Sequence, residues 1–386
     1  MSRQKRKSKM PVVQKVMIVF IVLALAVLAG LVVYGLQTIN RDPADEPDIN
    51  IQEPGEDEPP ATPDFTPRPR PELDTGIVHY NPLTGEPMDL GKTRARPIAV
   101  VLNNLSEALP LNGISEADII YEYPVEGGLS RMLAIYQDIS GVEKVGSIRS
   151  ARHYSIQIAA SYDAILVSAG RSPQAAQEAR ALDIPWLNEV EGPLRDVFFR
   201  DRNRIPGRRV ESLHSVVITG ERVMHWLPEY DFRLMHEEGY DLGLVFTEDG
   251  APQGGFSAVD VVARFSSGRA TNFTYDSRLN TYRMRQGNTD FTDANDNATL
   301  EVTNILILKT SVTNIRGDGS GRLNVETVGS GDGYFVSGGK YVEITWSRKD
   351  LESPFVYTLR DDSLIELGIG KTYICIIPDS MSATFE

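Results

Sequence analysis

Arginine and serine residues occur together where a predicted strand is followed by a predicted helix. The first such segment is GSIRSAR, residues 146–152, in which Ser150 lies between Arg149 and Arg152 and is expected to cap the helix that follows. A helix N-terminus offers free amide donors and the positive end of the helix dipole, and guanidinium groups add bidentate, charge-assisted donors for phosphate or carboxylate. The segment is therefore predicted to bind an anion.

A second junction of the same kind follows the predicted strand 164–169. The sequence there reads GRSP, with Ser172 placed to be the N-cap and Pro173 the first helical residue, which is a strong helix-start signal. Arg171 would lie at the carboxyl end of the strand, where open α/β sheets usually bind their ligands. We expect Arg171 to join the two arginines of the first segment in one anion-binding cluster, supported by both serines.

The loop PVEGGLSR, residues 124–131, joins two further predicted strands. Its two glycines allow close approach of the backbone to a ligand, and loops of this kind often carry function. Glu126 and Arg131 are expected to reach the same crevice. Candidates for a supporting base or metal ligand are Glu126, Asp118, Asp138 and His153. The alternative is that the arginines pair with carboxylates in a packed, partly buried network that comprises Asp118, Glu122, Glu126 and Asp163.

Another basic stretch contains Arg195, Arg200, Arg202, Arg204, Arg208 and Arg209. A solvated loop is one interpretation, and a surface for anionic lipid headgroups or wall polymers is the other. The formal net charge of -14 and the pI near 5.0 argue against a nucleic-acid partner.

Signatures of catalysis are scarce. The five histidines show no zinc-ligand spacing, and no nucleophile elbow or phosphate-binding loop occurs in the sequence. The single cysteine, Cys375, lies in the β-branched run TYICIIP and is interpreted as a buried thiol. We therefore expect neither a bound metal nor another cofactor, while His153 and His214 remain weak candidates for acid or base groups.

The elements that must position these residues change in type along the chain. Residues 76–249 alternate strand-like and helical runs and are predicted to form an α/β domain, with strands at 98–103, 118–123, 133–137 and 164–169 and helices at 151–161 and 173–182. Residues 250–255, GAPQGG, are interpreted as a linker. Residues 256–378 contain short β-branched runs between glycine-rich turns and are predicted to be mostly antiparallel β, followed by a tail at 379–386.

The N-terminal residues predict attachment to a membrane. Residues 16–36 are apolar and uncharged, long enough to span a bilayer, and follow a basic tail at 1–15, so the tail is expected in the cytoplasm and the rest outside. A cleaved signal peptide is the alternative. Residues 37–75, rich in Pro, Asp and Glu, are predicted to be a disordered tether.

Several runs resemble the YerB-like family of bacterial envelope lipoproteins. They are RPIAVVLNN (96–104), GISEADIIYEYPVEGGLSRMLAIY (113–136), VGSIRSARHYSIQIAASYDAILVSAGRSPQA (145–175), NFTYDSRLNTYRMR (272–285), GSGDGYFVSGGKYVEITW (329–346) and IGKTYICIIP (369–378). The resemblance covers about residues 81–378 and implies a two-domain extracytoplasmic protein. The lipobox cysteine of the family is missing, and the apolar segment 16–36 stands in its place.

Two functions remain open from the sequence. The first is a non-enzymatic, membrane-tethered module that binds an anionic wall polymer or a wall-synthesis protein. The second is an envelope enzyme that holds a phosphorylated or carboxylated polymer precursor through arginines and carboxylates, because phosphoryl chemistry needs little beyond positioning and charge neutralisation. The missing nucleophile and metal motifs favour the first.

Overall fold

The structure is a computed structural model that describes residues 78–190, 196–287 and 289–386. The predicted tail at 1–15, the anchor at 16–36, the tether at 37–75 and Arg195 lie outside the described residues. Among the residues that are described, no helix is both long and apolar enough to cross a membrane.

Strands account for most of the regular structure. They are β1 His79–Tyr80, β2 Pro87–Met88, β3 Ile98–Leu102, β4 Ile119–Val125, β5 Leu129–Tyr136, β6 Val145–Gly146, β7 Ile165–Ser168, β8 Trp186–Asn188, β9 Phe199–Arg200, β10 Val216–Ile218, β11 Val245–Thr247, β12 Phe256–Ser257, β13 Asp260–Ser266, β14 Arg269–Asp276, β15 Thr281–Gln286, β16 Thr289–Asp290, β17 Glu301–Val302, β18 Asn304–Thr310, β19 Val312–Asn314, β20 Leu323–Val325, β21 Gly329–Ser337, β22 Lys340–Arg348, β23 Val356–Thr358, β24 Glu366–Gly368, β25 Thr372–Pro378 and β26 Ala383–Phe385. The α-helices are α1 Leu90–Thr93, α2 His153–Ser161, α3 Pro173–Ala181 and α4 Gly220–Trp226.

The largest sheet has the strand order β12-β22-β21-β18-β25-β4-β5-β3-β7-β8. Strand β25, from the end of the chain, pairs in parallel with β18 on one side and with β4 on the other. Residues before and after the predicted linker at 250–255 therefore contribute to one hydrogen-bonded sheet. The division into two domains at that linker stays a prediction.

The C-terminal region is largely antiparallel, as predicted. Strands β13, β14 and β15 form an antiparallel meander, and β18, β21 and β22 form another within the large sheet. In the first half, each of the four predicted strands and both predicted helices is present, with ends that differ from the prediction by a few residues. Local hydrophobic runs bounded by turn residues were sufficient to locate these elements.

Both faces of β4, a central strand of the large sheet, are buried. In β4, Tyr121 and Tyr123 pack in a hydrophobic cluster with Tyr154 of α2, whereas Ile120 belongs to the cluster on the opposite face with Phe273 of β14. This alternation follows from the two-residue period of a strand. Helices thus cover one face of β4, and the β13–β14–β15 sheet covers the other.

Candidate functional site

The anion-site candidates lie at one edge of the sheet. Strands β3, β7 and β8 are parallel to one another, and β5 is antiparallel to both β3 and β4, so β3, β4, β7 and β8 all end at the same edge. We call this the carboxyl edge, and the opposite edge, where these strands begin, the amino edge. Glu126 follows β4 at the carboxyl edge, and Arg131 lies near the start of β5 beside it.

The segment containing Arg149 separates β3 from β7 at the carboxyl edge. The amide of Arg149 donates to the carbonyl of Val101, and the carbonyl of Arg149 accepts from the amide of Ala169, at 2.9 and 3.0 Å. Val101 belongs to β3, and Ala169 directly follows β7. Arg149 is therefore held between the ends of two parallel strands, which is where the sequence placed an anion site.

The two helices that begin at this edge are capped differently. Ser172 is the N-cap of α3, and its hydroxyl accepts from the amide of Ala175 at 3.1 Å, which confirms the prediction. The prediction that Ser150 caps the other helix was wrong. Arg152 occupies the N-cap position of α2 and donates its amide to Ser155 at 2.7 Å, while the Ser150 hydroxyl donates to the carbonyl of Ala169.

Arg152 forms a bidentate ion pair with Glu126. Its Nε donates to Glu126 Oε2 at 3.1 Å, and its Nη2 contacts Oε1. Burial alone would raise the pKa of Glu126, but the hydrogen bonds and charge of Arg152 outweigh burial and lower the pKa. Both oxygens of Glu126 are thus engaged, and the carboxylate is held ionised.

Arg131 lies beside this pair and is 7% exposed. Its Nη1 donates to the carbonyl of Ser150. Burial is the main reason that the pKa of Arg131 falls to about 10, and the positive charges of Arg152 and Arg149 also lower it. The side chain therefore remains protonated at neutral pH. The charges of Arg152 and Arg149 thus lie within electrostatic range of Arg131.

Arg149 differs from its two neighbours in its side-chain contacts. The side chain is partly buried, and its Nε atom is buried without a hydrogen-bond partner among the described residues. Burial and then the charge of Arg152 lower its pKa, and Glu126 is the carboxylate that opposes them. Glu126 thus pairs with Arg152 and acts through its charge on Arg131 and Arg149.

A second buried donor without a partner lies at the same edge. Asn188 ends β8 and is 1% exposed. Its Oδ1 accepts from the amide of Gly170 at 2.9 Å, whereas its Nδ2 is buried without a partner in the described part of the chain. Unpaired buried polar groups are rare and often mark a place for an ordered water or a ligand. Arg149 Nε and Asn188 Nδ2 can only donate, whereas Gln174 Oε1 in the first turn of α3, which is also buried without a partner in the described part of the chain, can only accept.

Two further candidates border the cluster without forming its centre. Arg171 is exposed at the carboxyl edge, and its backbone forms a parallel bridge with Ala151. His153 begins α2 and is 8% exposed, and its Nε2 lies 2.9 Å from Asn324 Oδ1. His153 is accordingly a packed residue that links α2 to β20.

The expectation that Asp118 or Asp138 supports this site was wrong. Asp118 precedes β4 and Asp138 follows β5, so both lie at the amino edge, separated from Glu126 by the seven residues of β4. At about 3.3 Å per residue that is roughly 23 Å. Asp118 accepts from Asn81 Nδ2 and the amide of Gln137, and Asp138 pairs with Lys92.

The amino edge also carries a cavity of about 600 Å³ that borders Asp163, Arg96, Arg233 and Tyr240. The carboxylate of Asp163 binds both of these arginines and lies 2.9 Å from Nδ1 of His236. The charged groups at its centre are thus paired with one another. The contacts of Asp163 with Arg233 and His236 connect the segment that follows α4 to the start of β7.

The basic stretch at 200–209 is partly structural. Arg204 is 2% exposed and donates to the carbonyls of His214 and Pro110 and to Asn112 Oδ1 at 2.7, 2.9 and 3.1 Å. Arg208 and Arg209 are exposed. His214 lies 3.0 Å from Asn103 at the end of β3, and burial and then Arg149 lower its pKa, which places it near the arginine cluster.

Sequence reasoning missed the role of Glu122 on the other face of β4. Glu122 is fully buried, and its carboxylate accepts from five side chains: Asn104, Ser130, Thr271, Tyr373 and Arg269. Three of these partners come from the second half of the chain. A charged residue in the middle of the apolar run IIYEYPV was the available signal, because an ionised group is buried only when it is paired.

Both halves of the chain match known families. Residues 83–223 match the model described as "Protein of unknown function (DUF3048) N-terminal domain", and residues 261–374 match the corresponding C-terminal domain. The Bacillus subtilis (strain 168) protein named "Putative lipoprotein YerB" is 28% identical over 317 residues, covering 81% of this chain and 90% of that protein. The chain belongs to the YerB-like family.

The crystal structure of the YerB protein from Bacillus subtilis is similar to the present fold. The TM-score is 0.66 at 27% sequence identity, over 79% of this chain and 99% of the other. The matched N-terminal domain contains Glu126, Arg131, Arg149, Arg152 and Asn188, so the candidate site lies inside the region that defines the family.

Proposed function

We propose that this YerB-like chain is a membrane-tethered, extracytoplasmic module that binds an anionic component of the cell envelope at the carboxyl edge. The observation that carries the proposal is the buried Nε of Arg149, which has no hydrogen-bond partner among the described residues and lies on the same segment as Arg152. Desolvated, preorganised guanidinium groups form strong charge-assisted hydrogen bonds with phosphate and carboxylate.

The envelope location draws support from two sources. The name of the relative, a putative lipoprotein, describes a protein of the envelope. The apolar segment 16–36, followed by a long acidic and proline-rich segment, would provide an anchor and a tether for this chain without a lipid. Such a tether allows the folded part to reach wall material at a distance from the bilayer.

The contacts of Glu126 favour binding over catalysis. A general base must reach the proton that it abstracts with a free oxygen. Here Arg152 engages both oxygens of Glu126 and lowers its pKa. The other two carboxylate candidates lie at the amino edge, so they are not placed to act on a ligand beside Arg149.

The test is binding of the full chain, in uncharged detergent, to purified cell-wall fractions. We expect Arg149→Ala combined with Arg171→Ala to weaken binding by about tenfold or more, because charge-assisted hydrogen bonds contribute about 1.5–3 kcal/mol each. Arg209→Ala, which removes an exposed arginine from the basic stretch, is the matched control and should bind like the original chain. Unchanged binding by the double variant would exclude the carboxyl edge as the site.

A further inference from the structure

The number of charges at the carboxyl edge indicates how many negative charges the ligand should carry. Arg152 and Arg149 lower the pKa of Arg131, and Arg152 also lowers the pKa of Arg149. Glu126 opposes both shifts and forms the ion pair with Arg152. Their formal sum is therefore three positive charges and one negative charge. A bound monoanion would leave one positive charge without compensation, whereas a dianion would neutralise the cluster.

The positive charges of the cluster need negative partners because its arginine side chains are largely removed from water. Arg131 and Arg152 are 7% and 6% exposed, and burial is the largest cause of the lowered pKa of both Arg131 and Arg149. The effective penalty for an uncompensated buried charge is several kcal/mol. A ligand with two negative charges should therefore bind at this edge with a more favourable free energy than a ligand with one.

The arrangement of donors agrees with a compact group that has several oxygens. Within the described ranges, Arg149 Nε and Asn188 Nδ2 are both buried donors without partners, on segments joined through Gly170 and Ser150. Helices α2 and α3, each of nine residues, also begin at this edge, and the first amides of a helix have no acceptor within it. Guanidinium, amide and helix-terminal donors together are typical of phosphate sites.

We infer that the group bound at the carboxyl edge is a phosphate monoester in its dianionic form, carried at the end of the ligand. This inference rests on the proposed function, and it names the chemistry of the anion. A phosphodiester within a polymer and a carboxylate each carry one charge.

The experiment compares three small probes that share a glycerol unit. Glycerol 3-phosphate is a monoester, glycerophosphoglycerol is a diester, and glycerate is a carboxylate. Binding to the full chain is measured by calorimetry at pH 8, above the second pKa of a phosphomonoester, which is about 6. We expect glycerol 3-phosphate to bind about tenfold more tightly than either of the others, and Arg149→Ala to abolish this preference.

Vesicles distinguish a lipid source of the same group from a soluble one. Phosphatidate carries a monoester headgroup and phosphatidylglycerol a diester headgroup. Preferential binding to phosphatidate vesicles would identify a lipid as the source, whereas binding of glycerol 3-phosphate without a preference for phosphatidate over phosphatidylglycerol vesicles would identify a soluble or polymer-borne monoester. Both results support the inference.

Two results would overturn it. The first is equal affinity for glycerol 3-phosphate, glycerophosphoglycerol and glycerate, together with loss of binding of all three probes in Arg149→Ala. That result would refute monoester recognition but leave an anion site in place. Failure of every probe, together with wall binding that still requires Arg149, would show that the edge does not recognise an isolated phosphate. Loss of the proposed function itself would instead appear as wall binding that is indifferent to Arg149.

Discussion

Arg152 and Glu126 form a two-point ion pair in which the arginine is also the N-cap residue of α2. The pair connects the end of β4 to the start of that helix. Arg149, three residues earlier, has a guanidinium that is not paired in this way. Neighbouring arginines of one segment thus serve different purposes, and stability measurements can separate them.

We expect Arg152→Ala to lower the free energy of unfolding by about 1–3 kcal/mol, because it leaves the half-buried carboxylate of Glu126 without its donors. Arg149→Ala should leave stability unchanged or slightly increased, because it removes a positive charge that its neighbours repel. Urea unfolding of the two variants at pH 7.5 measures the difference. A loss in Arg149→Ala as large as that in Arg152→Ala would contradict the assignment of a free guanidinium to Arg149.

The Glu122 cluster gives a second prediction. Glu122→Ala is expected to lower the free energy of unfolding by about 3–5 kcal/mol, because Arg269 and four other donors lose a fully buried acceptor. Glu122→Gln should cost less, because the hydroxyls of Thr271 and Tyr373 can reverse and accept from the new amide.

The control for Glu122 is Glu343→Ala. Glu343 pairs with Arg360 at the surface, where the side chains are 51% and 80% exposed. Loss of this ion pair should lower the free energy of unfolding by less than about 1 kcal/mol. Chemical unfolding followed by tryptophan fluorescence would measure all three variants. Similar losses in Glu122→Ala and Glu343→Ala would show that the buried cluster contributes little.

Asp118 predicts a pH dependence of stability. Burial outweighs its hydrogen bonds and raises its pKa to about 6. The folded state therefore holds this proton more tightly than the unfolded state, so the contribution is fully present below pH 3.8 and is lost as the pH rises through 6. The shift corresponds to a loss of about 3 kcal/mol.

The measurement for Asp118 is the free energy of unfolding between pH 4.5 and 7, compared with Asp118→Asn. The variant should lack this part of the pH dependence, because an amide does not titrate in the window, and groups such as Glu116 contribute equally to both proteins. Parallel pH profiles for the two proteins would contradict the raised pKa.

The basic stretch provides a matched pair. Arg204→Ala should destabilise the fold by about 3 kcal/mol or more, because several carbonyls around a buried guanidinium lose their donor. Arg209→Ala should change stability by less than about 0.5 kcal/mol, because Arg209 is exposed. Thermal unfolding of both variants tests whether Arg204 is a structural residue or part of a surface patch.

Much of the first half could be predicted from sequence because its signals are local. The apolar run of β3, the Ser172–Pro173 helix start and the glycines between β4 and β5 each depend on a few adjacent residues. The meeting of Arg149 and Arg152 with Glu126 also followed from a general property of sheets, since the carboxyl ends of parallel strands meet at one edge.

The parts that were not predicted depend on long-range pairing. Nothing local to β25 indicates that it pairs with β4, some 250 residues earlier in the chain, so the continuous sheet and the partners of Glu122 remained hidden. The placement of Asp118 was available, however. Asp118 and Glu126 stand before and after one predicted strand, which puts them at opposite edges of any sheet that contains it.

The position of β25 has a consequence for how the protein is made. This strand lies between β18 and β4 in the middle of the sheet, yet it follows β4 by some 250 residues in the chain. During synthesis, β4 and β18 leave the ribosome with one pairing side open until β25 has followed. A chain that terminates before residue 372 would leave one side of β4 and one side of β18 without a partner strand, an arrangement that promotes aggregation.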